Sequence, residues 1–442
     1  MEKEIAKRLI INYLKFLSHI KLRSKFRGEI IALGGCFGKS SAVNMLRSVL
    51  ESEHNVYTTY QNDKGLNSES GVAFAILDVH PDRYRMIDWL RYSVQALGGL
   101  FKKFDHDYFI IELGVDKPND LKFLTSFIKP NLGILINSNN THSANFEEFQ
   151  ETTKKSFEEL IAYENGFIFE AAKDAIVYNL DDPEVVKQIA RFSGRTTIPF
   201  SVSNNPSITS FIPSLSGTNI SFIFGGTEHT LTHPMPLLEE YRNTIEMVIK
   251  VAEYYKLKPE SVIRGIEAYE LPVSRCSHFE GLNGSHIIDS SYNSSFVPAA
   301  SAITLVDQIA QGRKVAVLGD MRELGLLSEK EHRKLAHVAA EHLDVVITVG
   351  PMMKEYFATE FAQLQKEGQQ LFAFDTTKEA LAFISDNNFG FVQQDDVVLV
   401  KASQNTLFLE IIVEALLKDK SNVSKLCRRG AFYAEERRKL LA

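Results

Sequence analysis

Short apolar runs that stop at glycine or a polar residue recur along the chain, separated by stretches with helical spacing. In the first half they are “EIIALGG”, “YFIIELG”, “NLGILINSN” and “AIVYNLDD”, between Glu29 and Asp182. Runs of this kind predict buried strands, and their alternation with helices predicts a mostly parallel sheet covered by helices. From about Pro199 to His233 the pattern changes to alternating Ser, Thr, Asn and Phe, as in “TNISFIFGGTEHTLTHPMP”, which predicts a β-rich excursion. Helical spacing returns in “LLEEYRNTIEMVIKVAEYYKL” and “PESVIRGIEAYE”, and Pro272 marks a boundary. A second alternating series follows: “SHIIDSS”, “KVAVLGD”, “DVVITVG”, “LFAFD” and “VVLVKAS”. Three segments are expected: a helix at 1–28, a central α/β domain at 29–272 and a smaller α/β domain at 273–442. The basic tail “LCRRGAFYAEERRKLLA” reads as a solvated closing helix.

The first segment is the one oddity of composition. Leu9, Ile10, Tyr13, Leu14, Leu17 and Ile20 recur at helical spacing with Lys and Arg between them. A basic amphipathic helix of this kind docks on its own domain by the apolar stripe, or meets a membrane surface or a protein partner. The rest is ordinary. Charged residues make up 24% and apolar residues 44% of 442 positions, which describes a soluble globular chain long enough for two or three domains. A net charge of −7 argues against a general nucleic-acid binder. Cys36, Cys276 and Cys427 are too far apart for a zinc site or a disulfide framework, which fits the cytoplasm. No apolar run is long enough to span a membrane.

The chemistry begins where the first strand runs into Gly34-Gly35-Cys36-Phe37-Gly38-Lys39-Ser40-Ser41. A strand, a Gly-rich turn with Lys, then a hydroxyl and a helix is the arrangement that cradles phosphate: amides face the anion, Lys neutralises it and Ser ligates Mg²⁺. The spacing is the short G-x-x-G-K-S form, with Gly35, Gly38, Lys39 and Ser40, and it predicts a nucleotide and Mg²⁺ as ligands. Glu112 ends a buried strand, where a carboxylate is costly unless it is paired or holds a metal.

The short loop resembles that of the Mur ligases, and further motifs follow in the same order. “NDKGLNSESGVAFAIL” keeps Asn67 and Gly71 of one family segment. “DYFIIELGVDKPNDLKFLTSFIKPNLGILINSNNTH” resembles the branch that adds D-alanyl-D-alanine, with Glu112, Gly114, Pro118, Pro130 and His142 in register. “YNLDDP” matches a strand end. Asn243 falls where the family holds adenine and Arg275 where it has Gly-Arg. “IIDSSYNSS” keeps Asp289, Tyr292 and Asn293. “VAVLGDMRELG”, with Asp320 and Glu323, and His332 after it, is close to the same branch, as is “VVLVKASQNTLFLE” with Lys401 and Ser403.

The resemblance implies a P-loop ATPase domain followed by a smaller Rossmann-like domain. It implies an ATP-dependent ligase that joins a peptide-precursor carboxylate to an amine through an acyl-phosphate, in peptidoglycan synthesis for the cell wall. Lys39, Glu112 and His142 would be catalytic, and Ser40, Glu112 and His142 would hold Mg²⁺. Gly35, Gly38, Lys39, Ser40, Ser41, Asn243, Arg275 and Asp289 would bind nucleotide. Asn67, Tyr292, Asn293, Asp320, Lys401 and Ser403 would meet substrate. Two departures stand out. The branch opens with a domain that holds the UDP-sugar end of the acceptor, whereas here 28 residues precede Glu29. A metal-holding lysine of the family, expected on a helix after His142, is matched by Ser156, or by Phe157 after a one-residue shift, with Lys154 and Lys155 on other faces. A lesser change points the same way: Gln404 stands where the family has Arg, an unequal exchange at a carboxylate. A polyglutamate-type ligase with a non-UDP acceptor, or a nucleotide-binding protein without ligase activity, are the alternatives.

Overall fold

The computed structural model describes residues 2–441 apart from 62–63, 82–84, 139–142, 193, 323 and 404–405. Helix α1 (Glu2–Lys25) leads into strand β1 (Glu29–Gly34) and helix α2 (Lys39–Leu50). Next come β2 (Val56–Thr58), α3 (Glu69–Leu77), α4 (Met86–Gly99) and β3 (Tyr108–Glu112). Then follow α5 (Asp120–Thr125), β4 (Leu132–Leu135), α6 (Phe157–Asn165), β5 (Ala175–Asn179) and β6 (Thr196–Phe200). The six strands form one sheet in the order β2-β3-β1-β4-β5-β6, and every neighbouring pair is parallel. Strands β3, β4 and β5 are buried throughout, as apolar runs with helices on both faces require.

The excursion forms as β7 (Ile208–Ser214), β8 (Gly217–Phe224) and β9 (Thr227–His233), a sheet in the order β9-β8-β7. Two helices follow, α7 (Tyr241–Tyr254) and α8 (Pro259–Glu267). The second α/β series gives β10 (Ser277–Glu280), β11 (His286–Ser290), α9 (Phe296–Ile309), β12 (Lys314–Gly319) and α10 (Ser328–His342). It continues with β13 (Val345–Val349), β14 (Gln370–Phe374), α11 (Thr377–Phe389), β15 (Val397–Lys401), α12 (Glu410–Leu416) and α13 (Ala431–Leu441). Its sheet runs β10-β11-β15-β12-β13-β14, parallel except where β10 pairs antiparallel with β11.

The chain divides into two compact units. Unit 1 comprises residues 1–209, 221–231 and 242–269; unit 2 comprises 210–220, 232–241 and 270–442. Within unit 1, α1 packs its stripe into the body: Ile11, Leu14 and Leu17 are buried with Phe74 and Leu77 of α3 and Trp89, Tyr92 and Ala96 of α4. Leu9 stays exposed. Burying three such side chains favours docking by about 1.5–3 kcal/mol each, enough to hold Lys21 in the interface as well, 2% exposed.

Candidate active site

Strand β1 delivers Gly35 and Gly38 to the start of α2. Gly35 has φ +144°, and a Cβ there would stand 2.6 Å from Ile136 Cγ1, so no side chain is tolerated. Gly38 has φ +75° and is the N-cap of α2, with no side chain closing the helix end. Helix geometry leaves the first amides of α2, those of Lys39, Ser40 and Ser41, without intrahelical partners. These amides and the helix dipole make an anion cradle. Lys39 Nζ donates to the loop carbonyls of Gly35 (2.8 Å) and Cys36 (3.3 Å), so its charge sits over the loop. Cys36 is half-buried against the core, a packing residue.

The loop is tied down by a residue the motifs did not single out. Asn137 Oδ1 accepts from the amides of Cys36 (2.8 Å) and Phe37 (3.1 Å), and its Nδ2 donates to Phe37 O at 3.0 Å. The signal available in the sequence was the polar end of “NLGILINSN”, since polar residues beyond strand carboxyl ends are where such sheets bind ligands.

Ser40 Oγ donates to Glu112 Oε2 at 2.9 Å, and Asn67 Nδ2 donates to Glu112 Oε1 at 2.9 Å. Glu112 is 2% exposed, and its amide donates to Thr59 Oγ1 at 2.9 Å. Gly114 receives Asn67 closely, its amide bonded to Asn67 O at 3.0 Å. The donor set suits Mg²⁺: a hydroxyl and a carboxylate oxygen 2.9 Å apart match the edge, about 2.9 Å, of an octahedron with bonds of 2.0–2.1 Å. His142 lies outside the described residues, as does Glu323.

Asn243 stands in the first turn of α7, and its Oδ1 is buried without a hydrogen-bond partner. An orphaned buried acceptor suits a ligand amino group such as that of adenine. The helix expected to run past residue 156 is broken. Lys154 has φ +54° and ends a short helix, Glu147–Thr153. Ser156 then caps α6: its Oγ accepts from Glu159 N at 3.1 Å while Glu159 Oε2 accepts from Ser156 N at 3.0 Å. Ser156 is thus a capping-box residue, and Lys155 lies over the Tyr163 ring at 5.7 Å.

In unit 2 the remaining residues gather at the carboxyl ends of β11, β15 and β12. Lys401 Nζ donates to Asn293 O (2.9 Å) and Ser290 Oγ (3.2 Å). Ser403 Oγ donates to Ser294 O (3.0 Å) and accepts from Arg322 N (2.9 Å). Asp320 Oδ1 accepts from Met353 N at 2.8 Å. Burial raises the Asp320 carboxyl above its usual range and pushes the Lys401 amine down to about 8. Asp289 is fully buried and closes its own turn: Oδ2 accepts from Ser274 Oγ at 2.5 Å and Oδ1 from Ser291 N at 3.0 Å. Arg275 is exposed, with its guanidinium 5.0 Å over the Tyr292 ring. His332 is buried; its Nε2 accepts from Met321 N at 3.0 Å and Nδ1 faces Ser328 O at 2.7 Å, so it braces the loop after β12. Gln404 lies outside the described residues.

The tail forms the solvated helix expected of it only from Ala431 onward. Helix α13 buries no residue, but Arg428 ahead of it is buried. It pairs with Glu410 at 2.7 Å and donates to Tyr292 O at 2.6 Å and Ser291 O at 3.3 Å. Arg428 therefore holds the turn that carries Tyr292. A cluster of tail arginines gives no sign of which one turns inward.

Comparison with known proteins identifies both α/β series. Residues 33–244 match the Mur ligase middle domain and residues 274–404 the Mur ligase glutamate ligase domain. A relative from Buchnera aphidicola, named UDP-N-acetylmuramoyl-tripeptide–D-alanyl-D-alanine ligase, is 24% identical over 401 residues, which cover 90% of this chain and 77% of the relative. The fold is shared with MurF of Acinetobacter baumannii, with TM-score 0.72, 20% identity and coverage of 91% and 79% of the two chains. It is shared also with the MurF ligase of Thermotoga maritima in complex with ADP, with TM-score 0.70, 20% identity and coverage of 94% and 84%. Two family domains, matched in order across both α/β series, place the chain in the Mur ligase family.

Proposed function

We propose that the protein is an ATP-dependent carboxylate–amine ligase of cell-wall precursor synthesis, with a peptide-precursor acid and an amino acid or dipeptide as substrates. The observation that carries this is the coupling of the phosphate loop to Glu112: Ser40 bonds to a buried carboxylate that Asn67 also holds, while Thr59 Oγ1 accepts from the Glu112 backbone amide. In this reading a substrate carboxylate oxygen attacks the γ-phosphorus and ADP leaves. The amine nitrogen then attacks the acyl carbon, phosphate leaves, and the nitrogen loses a proton to give the amide. The amides at the start of α2 and the ammonium of Lys39 stabilise charge on the transferring phosphoryl oxygens. Ser40 and Glu112 would hold a Mg²⁺ that neutralises phosphate charge. Asn243 would orient the adenine. In unit 2, Lys401, Ser403 and Asp320 position the loops that would receive substrate.

The test is phosphate release from Mg-ATP, alone and with UDP-muramoyl tripeptide plus D-alanyl-D-alanine, with Lys39→Ala as control. Release that requires both substrates supports the reading. ATP binding without release sinks the cell-wall ligase. Amide formation on an acid without a UDP group moves the assignment to a polyglutamate-type ligase.

A further inference from the structure

Helix α4 is apolar on two sides, and only one of them is used. Trp89, Tyr92 and Ala96 are buried with α1 and α3. Leu90, Val94 and Leu97, continued by Phe101 in the turn after the helix, are between 47 and 73% exposed. At 100° per residue these four fall within an arc of about 60°, so they form one row along the outer face. Helix α1 adds Leu9 and Phe16, each more than 60% exposed.

The two sets share a seam. Tyr13 Oη lies 3.5 Å from the carbonyl oxygen of Ser93. On a helix the neighbours of a residue are three and four positions away. Those of Tyr13 include Leu9 and Phe16; those of Ser93 include Leu90 and Leu97. Both rows therefore flank the line where α1 meets α4. A contiguous apolar surface of this kind on a soluble unit marks an interaction site.

Charge says what meets it. Residues 7–27 and 85–103 hold eleven of the chain's 49 Lys and Arg and one of its 56 Asp and Glu, a charge of +10, which leaves −17 for the remainder. Lys21 is buried and Lys102 pairs with Asp78 at 2.5 Å; Arg8, Arg91 and Lys103 are among the exposed ones. A second copy docked by the same face would set two positive surfaces against each other, which costs affinity. Among the described residues no helix is long and apolar enough to cross a membrane. We propose that the α1–α4 face docks on an anionic lipid surface, with the apolar row entering the headgroup boundary and the basic residues meeting lipid phosphates.

Full-length protein would be sedimented with vesicles of phosphatidylcholine, and with vesicles of equal parts phosphatidylcholine and phosphatidylglycerol. The expected result is binding to the anionic vesicles about tenfold tighter than to the neutral ones, released by salt as screening shortens the electrostatic reach. Leu97→Asp with Phe101→Asp is expected to weaken that binding by about tenfold or more, with an unchanged melting temperature because both positions are exposed. Arg91→Glu with Lys103→Glu should weaken anionic binding alone. Absence of binding, or equal binding to both vesicle types, overturns the proposal. Should light scattering then reveal a dimer that Leu97→Asp dissociates, the face belongs to a second copy.

Discussion

Asn137 spends its whole side-chain amide on the phosphate loop, and Asn137→Ala would leave two loop amides without their acceptor. At about 0.5–1.5 kcal/mol for each hydrogen bond, we expect ATP affinity to fall roughly tenfold in a fluorescence titration. An unchanged affinity would show that the loop keeps its shape without the tie. A second residue-scale prediction concerns Lys401, whose amine burial pushes down to about 8. In the unfolded chain a lysine titrates near 10.4. Between those values the unfolded state holds a proton that the folded state has released, so stability rises with pH across the window. The rise is on the order of 3 kcal/mol at most. Cys276, raised to about 11 by burial, works in the opposite sense above its unfolded value. The difference between wild type and Lys401→Met in urea unfolding, from pH 7.5 to 10, isolates the lysine; parallel curves would refute its depressed titration. Lys39 and Ser40 were legible in the sequence because strand, turn and helix there are consecutive. Asn137 was not, since its bond to Cys36 spans 101 positions and depends on how β4 registers against β1.

At the scale of elements, strands were read well and helix ends poorly. Apolar runs bounded by turn residues have few other solutions, so the central strands of both sheets followed from them, whereas the edge strands β2, β6 and β10, short or partly exposed, did not. The break at 154–156 was hidden because a capping box looks like any Ser and Glu three apart until a helix is known to start there. Packing between helices was hidden too. Gly265 of α8 lies against the backbone of α2, where an added Cβ would stand 2.4 Å from Val49 Cα. Backbone cannot yield as a flexible side chain can. Gly265→Ala is therefore expected to cost about 1–3 kcal/mol in urea unfolding, and to weaken ATP binding because α2 carries Lys39, Ser40 and Ser41 at its start. A variant of wild-type stability would mean that α8 shifts freely.

At the scale of the molecule, the proposed phosphate site lies in unit 1. Mg-ATP at a hundredfold above its dissociation constant should add about 2.7 kcal/mol to stability, and hydrogen exchange should slow in the loop and at the start of α2. Equal protection everywhere, or none, would contradict a site at Lys39–Ser41. The buried Arg428–Glu410 pair has a consequence in time. Ser291 and Tyr292, which open the turn after β11, are gripped by an arginine 137 positions from Ser291. At a synthesis rate of about 5–20 residues per second, that arginine emerges roughly 7–27 seconds after the turn it holds. For that interval the turn is bare to whatever else is nearby in the cell, and Glu410, 18 positions before Arg428, waits about 1–4 seconds for its cationic partner. The nascent chain carries the turn after β11 unfinished for most of the time residues 270–442 take to make, so a slowed ribosome lengthens the exposure of this turn.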